Sequence, residues 1–235
     1  ESLGRMAGAI AHHFNNQLGV VLGNLELAMM KLPQGAPPHA EITAAMEASS
    51  KAAEMSGMML TYLGQSFDKR EPLDLSYACR RSLPMLRTTM PGNVVMNTDL
   101  PIPGPVISAN ANQIQHVLTN LITNAWESVG DGRGAIHLNV KTVPSADIKA
   151  EHHPITWQPQ NAVYACLEVT DEGCGIAQKD LEKIFDPFFS TKFTGRGMGL
   201  AVVMGIVRAH SGAITVESEP GRGSTFRVFF PVSGE

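Results

Sequence analysis

Cysteine is scarce in this chain of 235 residues, and Cys79, Cys166 and Cys174 stand far apart, with no Cys-x-x-Cys or Cys/His spacing of a zinc site. A reduced chain of cytoplasmic location is the simplest expectation. Long hydrophobic runs are missing too: no uninterrupted apolar stretch approaches the ~18 residues of a membrane span, so no membrane contact is expected of this fragment. Basic excess is also lacking. With 18 Lys and Arg against 22 Asp and Glu, the net charge of -4 disfavours nucleic acid as a partner. The sequence opens at Glu1 without a methionine or a signal-like segment and enters a helical pattern at once, which suggests a piece of something larger. What remains is globular, with 43% hydrophobic and 17% charged residues and enough length for two modest domains.

From Leu3 to Leu32 apolar residues recur every three or four positions through Met6, Ile10, Phe14, Leu18, Val21, Leu25 and Met29. This is the period of one amphipathic helix about 45 Å long. Leu32 to Pro38 breaks it, because proline cannot continue a helix. A second helical run is expected from about 40 to 65, its methionines acting as adaptable core filler. Such a hairpin has too little core of its own, so it should pair with a second copy as a four-helix bundle. The charged segment 67–72 reads as a linker. Beyond it the pattern predicts helices at 73–89, 111–129 and 198–211. Strands are expected at 93–99, 135–143, 163–170, 213–218 and 224–231. The fold class expected is α+β: a hairpin domain over 1–68 and a two-layer α/β sandwich over 73–235. The stretch 144–161, with His152, His153 and Trp157, reads as a solvated insertion.

Four short patterns follow in order: Asn120-Leu-Ile-Thr-Asn124-Ala, Asp171-Glu-Gly-Cys-Gly175-Ile, Phe185-Asp-Pro-Phe-Phe189 running into Gly195-Arg-Gly-Met-Gly199-Leu200, and Gly223-Ser-Thr-Phe226. Each alone is weak evidence. Asn120 and Asn124 lie four apart on one helix face, and an amide oxygen is a hard ligand suited to magnesium. Asp171 ends an apolar strand, where a carboxylate can accept from an adenine amino group, and Gly173 and Gly175 let the backbone turn close to a flat ligand. Gly195, Gly197 and Gly199 precede a helix, whose N-terminal amides form a phosphate cradle. The P-loop pattern and the protein-kinase signatures are both missing, so the nucleotide geometry belongs to neither class.

The ordered set resembles the nucleotide-binding boxes of sensor histidine kinases, and Ala11-His-His-Phe-Asn-Asn-Gln-Leu18 resembles that family's phosphoacceptor box. The resemblance covers nearly the whole chain, from about Leu3 to Pro231. It implies an N-terminal dimerising hairpin followed by an ATP-binding domain of the Bergerat (GHKL) type, using ATP and Mg2+. By the match Asn124 would hold the metal, and Asp171 would take the adenine, supported by Thr225. Leu200 follows the glycine series, and Lys192 lies in a segment resembling the mobile lid, either reaching a phosphate or as a solvated charge. His12 would be the phosphoacceptor, passing its phosphoryl group to an aspartate of a response-regulator receiver domain, and Asn16 would align water for dephosphorylating that receiver.

Helical phase places His12 roughly opposite the stripe of Ile10, Phe14 and Leu18, with Asn16 one turn later on the same side. In one respect the chain departs from the family. The residue after the acceptor is commonly an acid there, and here it is His13, an imidazole able to act as a base near neutral pH but without fixed negative charge. Two alternatives are a slow or non-catalytic phosphotransfer scaffold of the same shape and an ATPase of gyrase or chaperone type.

Overall fold

The computed structural model of the chain describes residues 2–33, 39, 41–46, 49, 52, 69–148, 157–187, 189–190 and 197–233, with backbone alone for 2–13 and 15–17. The chain divides into two compact units, Glu1–Ser66 and Phe67–Glu235. In the first, helix α1 runs Ser2–Lys31, matching the apolar period, and Lys31 in its last turn complements the negative end of the helix dipole. Backbone at 39, 41–46, 49 and 52 is helical again, and the remainder of the expected second helix lies outside the described residues. Phe14, Val21 and Leu27 of α1 are left exposed.

The second unit is a mixed sheet with helices on it. Its elements are β1 (Glu71–Asp74), α2 (Leu75–Thr89), β2 (Val94–Asp99), β3 (Val106–Ala109), α3 (Ala111–Val129), β4 (Gly134–Pro144), β5 (Val163–Asp171), α4 (Gly199–Ala209), β6 (Ala213–Glu219) and β7 (Gly223–Pro231). Five strands pair in the order β2-β4-β5-β7-β6, while β1 and β3 form a separate pair. Only β2 against β4 is parallel within the large sheet. The linker expected at 67–72 is corrected at its end: Glu71 and Pro72 belong to β1, paired with Ala109 and Ser108 of β3. Helix α2 therefore begins at Leu75. Asp74 caps it, one carboxylate oxygen accepting from Tyr77 N at 2.7 Å and the other from Gly104 N at 2.9 Å.

Helix α3 carries both asparagines, and its limits follow from its ends. The Asn110 side chain accepts from the amides of Asn112 and Gln113 at 2.9 and 3.2 Å, and Gly130, at φ +62°, stops the helix. Ile114, Val117, Leu118, Leu121, Ile122 and Ala125 give α3 one buried face. Each fully buried leucine or isoleucine there contributes about 1.5–3 kcal/mol. Helices α3 and α4 pack on the sheet through β4, β5, β6 and β7, and α2 packs on α3. On the opposite face Glu168 of β5 binds Arg227 Nε at 2.5 Å and Lys141 Nζ at 3.1 Å, and Arg227 also reaches Glu217 at 2.9 Å. Burial pushes the Glu168 carboxyl upward, but the hydrogen bonds and charges of Arg227 and Lys141 outweigh it and hold the group below the ordinary value.

The connection from β4 to β5 is not the wholly solvated insertion its composition suggested. Its two ends fold back on the sheet: Ile148 joins Tyr164, Cys166, Ala213 and Phe229 in a buried cluster, with Trp157 packed against it. The indole meets Tyr164 edge-on at 5.4 Å, and the Tyr164 hydroxyl accepts from Gln160 N at 3.0 Å. A large apolar ring gains more from covering the cluster than from hydration, which composition alone does not reveal. His152 and His153 lie outside the described residues.

His210, just past α4, is buried against Phe230, its Nδ1 donating to Ile206 O at 2.8 Å while Nε2 has no partner among the described residues. Burial, aided by the Arg70 charge and opposed by the bond to Ile206, depresses its pKa below the ordinary 6.5. The unfolded chain therefore binds this proton at a higher pH than the folded one, so the stabilisation is present above about pH 6.5 and is lost as pH falls. Urea denaturation midpoints should drop between pH 7.5 and 5.5, and His210→Gln should flatten that slope; an unchanged slope would contradict the assignment.

Candidate functional site

Residues 120, 124 and 128 follow one another at four-residue steps along α3 and so share a face about 12 Å long. Both ends of this row are anchored. At one end lies Gly199, the first residue of α4, where a β-carbon would stand 2.8 Å from Asn120 Oδ1. Glycine is required there for α4 to start so close to α3. Asn120 is itself held by its Nδ2, which donates to His116 O at 2.9 Å. At the other end Ser128 Oγ donates to Asp171 Oδ1 at 2.7 Å. Asn124 lies between the two contacts by helical spacing.

Asp171 is the last residue of β5 and is 4% exposed. A buried carboxylate needs donors, and Gly173 N supplies a second at 2.9 Å, also to Oδ1. The turn that follows is tied down on both sides. Cys174 N donates to Ser128 O at 3.0 Å, and Gly221 N to Cys174 O at 2.8 Å. Gly175 adopts φ +67°, with the Glu219 carbonyl where a side chain would go, so the turn tolerates only glycine. The hairpin of β6 and β7 thus rests directly on the turn after Asp171, and Ser218 Oγ accepts from Ile176 N at 2.8 Å.

Strand register decides which hydroxyl neighbours Asp171. Because Asp171 reaches α3, the odd-numbered side chains of β5 near it face the helices and the even-numbered ones face away. Asp171 pairs with Ser224 and Thr170 with Thr225. The Thr170 and Thr225 hydroxyls lie 3.0 Å apart on the far face. The expected role of Thr225 beside Asp171 is therefore corrected: Ser224, 5% exposed and 3.0 Å from Ser218 Oγ, occupies the position across from Asp171.

The four boxes come together unevenly. Asn120 and Asn124 share one face of α3, where Asn120 lies against Gly199 and where Asp171 and Gly173 meet Ser128; Gly175 sits in the turn after Asp171, and Leu200 in the first turn of α4. Gly197, at φ +62°, leads into that helix. Its first amides make an anion-binding terminus. Gly195 and Lys192 lie outside the described residues. His12, His13 and Asn16 are on the backbone of α1, with their side chains outside the description. Ser128 and Ser224 went unread in the sequence, although the four-residue step from Asn124 would have flagged Ser128. Cys79 and Cys166 are buried thiols pushed up to about 12, chiefly by desolvation, and take no part. Among the described residues there is no group of three or more metal-ligating His, Cys, Asp or Glu side chains, and no helix long and apolar enough to cross a membrane.

Residues 109–234 match the family model described as histidine kinase-, DNA gyrase B- and HSP90-like ATPase. The chain is 31% identical over 233 residues to the sensor kinase CckA of Brucella abortus, a match covering 98% of this chain and 24% of that protein. It is 27% identical over 235 residues to the sensor histidine kinase ZraS of Klebsiella oxytoca, covering all of this chain and 47% of that one. The chain thus spans 24% and 47% of the length of these curated relatives. Among solved structures, full-length ShkA in complex with AMPPNP superposes with a TM-score of 0.72 at 21% identity, covering 98% of this chain and 46% of that one, a likeness of fold. The chain belongs to the histidine kinase-, DNA gyrase B- and HSP90-like ATPase family and carries the catalytic core of a sensor histidine kinase.

Proposed function

We propose that this chain binds ATP in the cleft beside α3, phosphorylates His12 and passes the phosphoryl group to an aspartate of a response-regulator receiver domain. One observation carries the reading: Asp171 and Gly199, from separate boxes, contact opposite ends of the row Asn120, Asn124 and Ser128. A row of that span suits a nucleotide lying along it, base at the Asp171 end and phosphates at the α4 end. The Asp171 carboxylate accepts from the adenine amino group, and the α4 amides with Gly197 and Gly195 hold the phosphates. The Asn124 amide oxygen is a fitting ligand for Mg2+, which when bound offsets phosphate charge. Lys192 adds a cation from the lid.

In the transfer, a neutral imidazole nitrogen of His12 forms the N–P bond as the bond from the γ-phosphorus to the ADP oxygen breaks. The imidazole proton leaves to His13, which acts as base in place of the family's usual acid. Asn16 positions water when the partner receiver is dephosphorylated. Exposed Phe14, Val21 and Leu27 on α1 support a homodimer formed through the hairpin. Incubation with γ-labelled ATP and Mg2+ tests the function: label should accumulate on the chain itself, stable to base and labile to acid. Release of inorganic phosphate with no labelled chain would instead favour an ATPase of gyrase or chaperone type.

A further inference from the structure

The geometry points to Ser128 as a positioning residue for nucleotide recognition, acting through Asp171. This rests on the reading that Asp171 takes the adenine amino group. Ser128 stands in the last turn of α3, where its hydroxyl has two acceptors at equal distance: the Ala125 carbonyl of its own helix and Asp171 Oδ1, both at 2.7 Å. A hydroxyl has one proton, so the two acceptors compete for it. The charged acceptor wins, because a hydrogen bond to a carboxylate is roughly twice as strong as one to a neutral carbonyl. Its own helix alone would leave the serine a trivial role, satisfying one carbonyl near a helix end. The bond across to β5 links positions 43 residues apart and gives it another.

Ser128 Oγ and Gly173 N converge on the same oxygen of Asp171 from different elements, at 2.7 and 2.9 Å. Two donors from a helix and a turn fix the torsion and plane of the carboxylate before any ligand arrives. The same residue clamps the turn itself, since Ser128 O accepts from Cys174 N at 3.0 Å. The main-chain bond does not use the Ser128 side chain, so removing the hydroxyl takes away one of the carboxylate's donors, keeps Gly173 N in place and leaves the turn anchored. Ser128 thereby sets how sharply the pocket reads the 6-amino group of the base, and leaves phosphate binding at the α4 end untouched.

The test compares ATP with purine riboside 5′-triphosphate, which lacks the amino group, by calorimetry in Mg2+ on the whole chain and on Ser128→Ala. Wild type should prefer ATP by about tenfold or more. In Ser128→Ala the preference should shrink about fivefold, through weaker ATP binding with the analogue unchanged. Unchanged binding of the analogue also reports that the variant pocket is folded. Equal losses for both ligands, or an undiminished preference, would overturn the positioning role while leaving Asp171 as the adenine partner. A wild type that binds both ligands alike would instead remove the adenine assignment, and the role of Ser128 with it.

Discussion

His12→Gln should eliminate labelling of the chain by γ-labelled ATP, while its affinity for ATP should stay within about twofold of wild type because the two features lie on separate elements. Glutamine keeps the length and polarity of the side chain and is a good helix former, so α1 persists through Ser2–Lys31. What it lacks is a nucleophilic nitrogen: an amide nitrogen is not basic and cannot take up the phosphoryl group. The matched experiment is His13→Gln. His13 is assigned the base rather than the acceptor, so its loss should slow labelling by about 10²-fold or more, the range of general-base contributions, without abolishing it. Labelling that survives in His12→Gln and vanishes in His13→Gln would exchange the two roles.

The neighbour at position 13 also bears on the pH dependence of transfer. A carboxylate base keeps its charge to well below neutrality, whereas an imidazole base is disabled once protonated, near pH 6.5 in an unperturbed group. An imidazole base at position 13 would therefore give labelling a pH dependence near neutrality that a carboxylate base would not.

Helix α3 is legible in the sequence to its ends because everything that specifies it is local: the Asn110 cap, an apolar period and Gly130. Strand β3 is not. Its four residues follow Pro101, Pro103 and Pro105, and they become a strand through pairing with β1, more than 30 residues earlier in the chain. The exchange of Ser224 for Thr225 has the same origin. Matching a motif aligns letters, whereas the pleat sends adjacent letters to opposite faces, and only the register of β5 with β7 says which faces Asp171. Ser128 shows the other limit. A serine near a helix end has an adequate local explanation, and its significance comes from a carboxylate on another element. Residues whose role is set by backbone conformation fare better: Gly175 belongs to the Asp-x-Gly-x-Gly pattern of the ordered set, and its φ of +67° against the Glu219 carbonyl is the physical reason a glycine stands there.

Asp171→Asn is expected to weaken ATP binding by at least about 100-fold, corresponding to ~2.7 kcal/mol or more. Two effects combine. The charge-assisted bond to the adenine amino group is lost. In addition, Ser128 and Gly173 both donate to Oδ1, so the variant's amide keeps its oxygen toward them and turns its nitrogen toward the base. A donor then faces a donor, which is worse than no partner at all. The same reasoning reverses the specificity: inosine triphosphate presents an oxygen in place of the amino group, so it should bind Asp171→Asn more tightly than ATP does, whereas wild type should prefer ATP. The substitution preserves volume at a site that is 4% exposed and keeps both internal donors engaged, so the melting temperature should change little. A variant that melts normally, retains ATP affinity within about threefold and shows no gain for inosine triphosphate would move the base-recognition group elsewhere in the cleft.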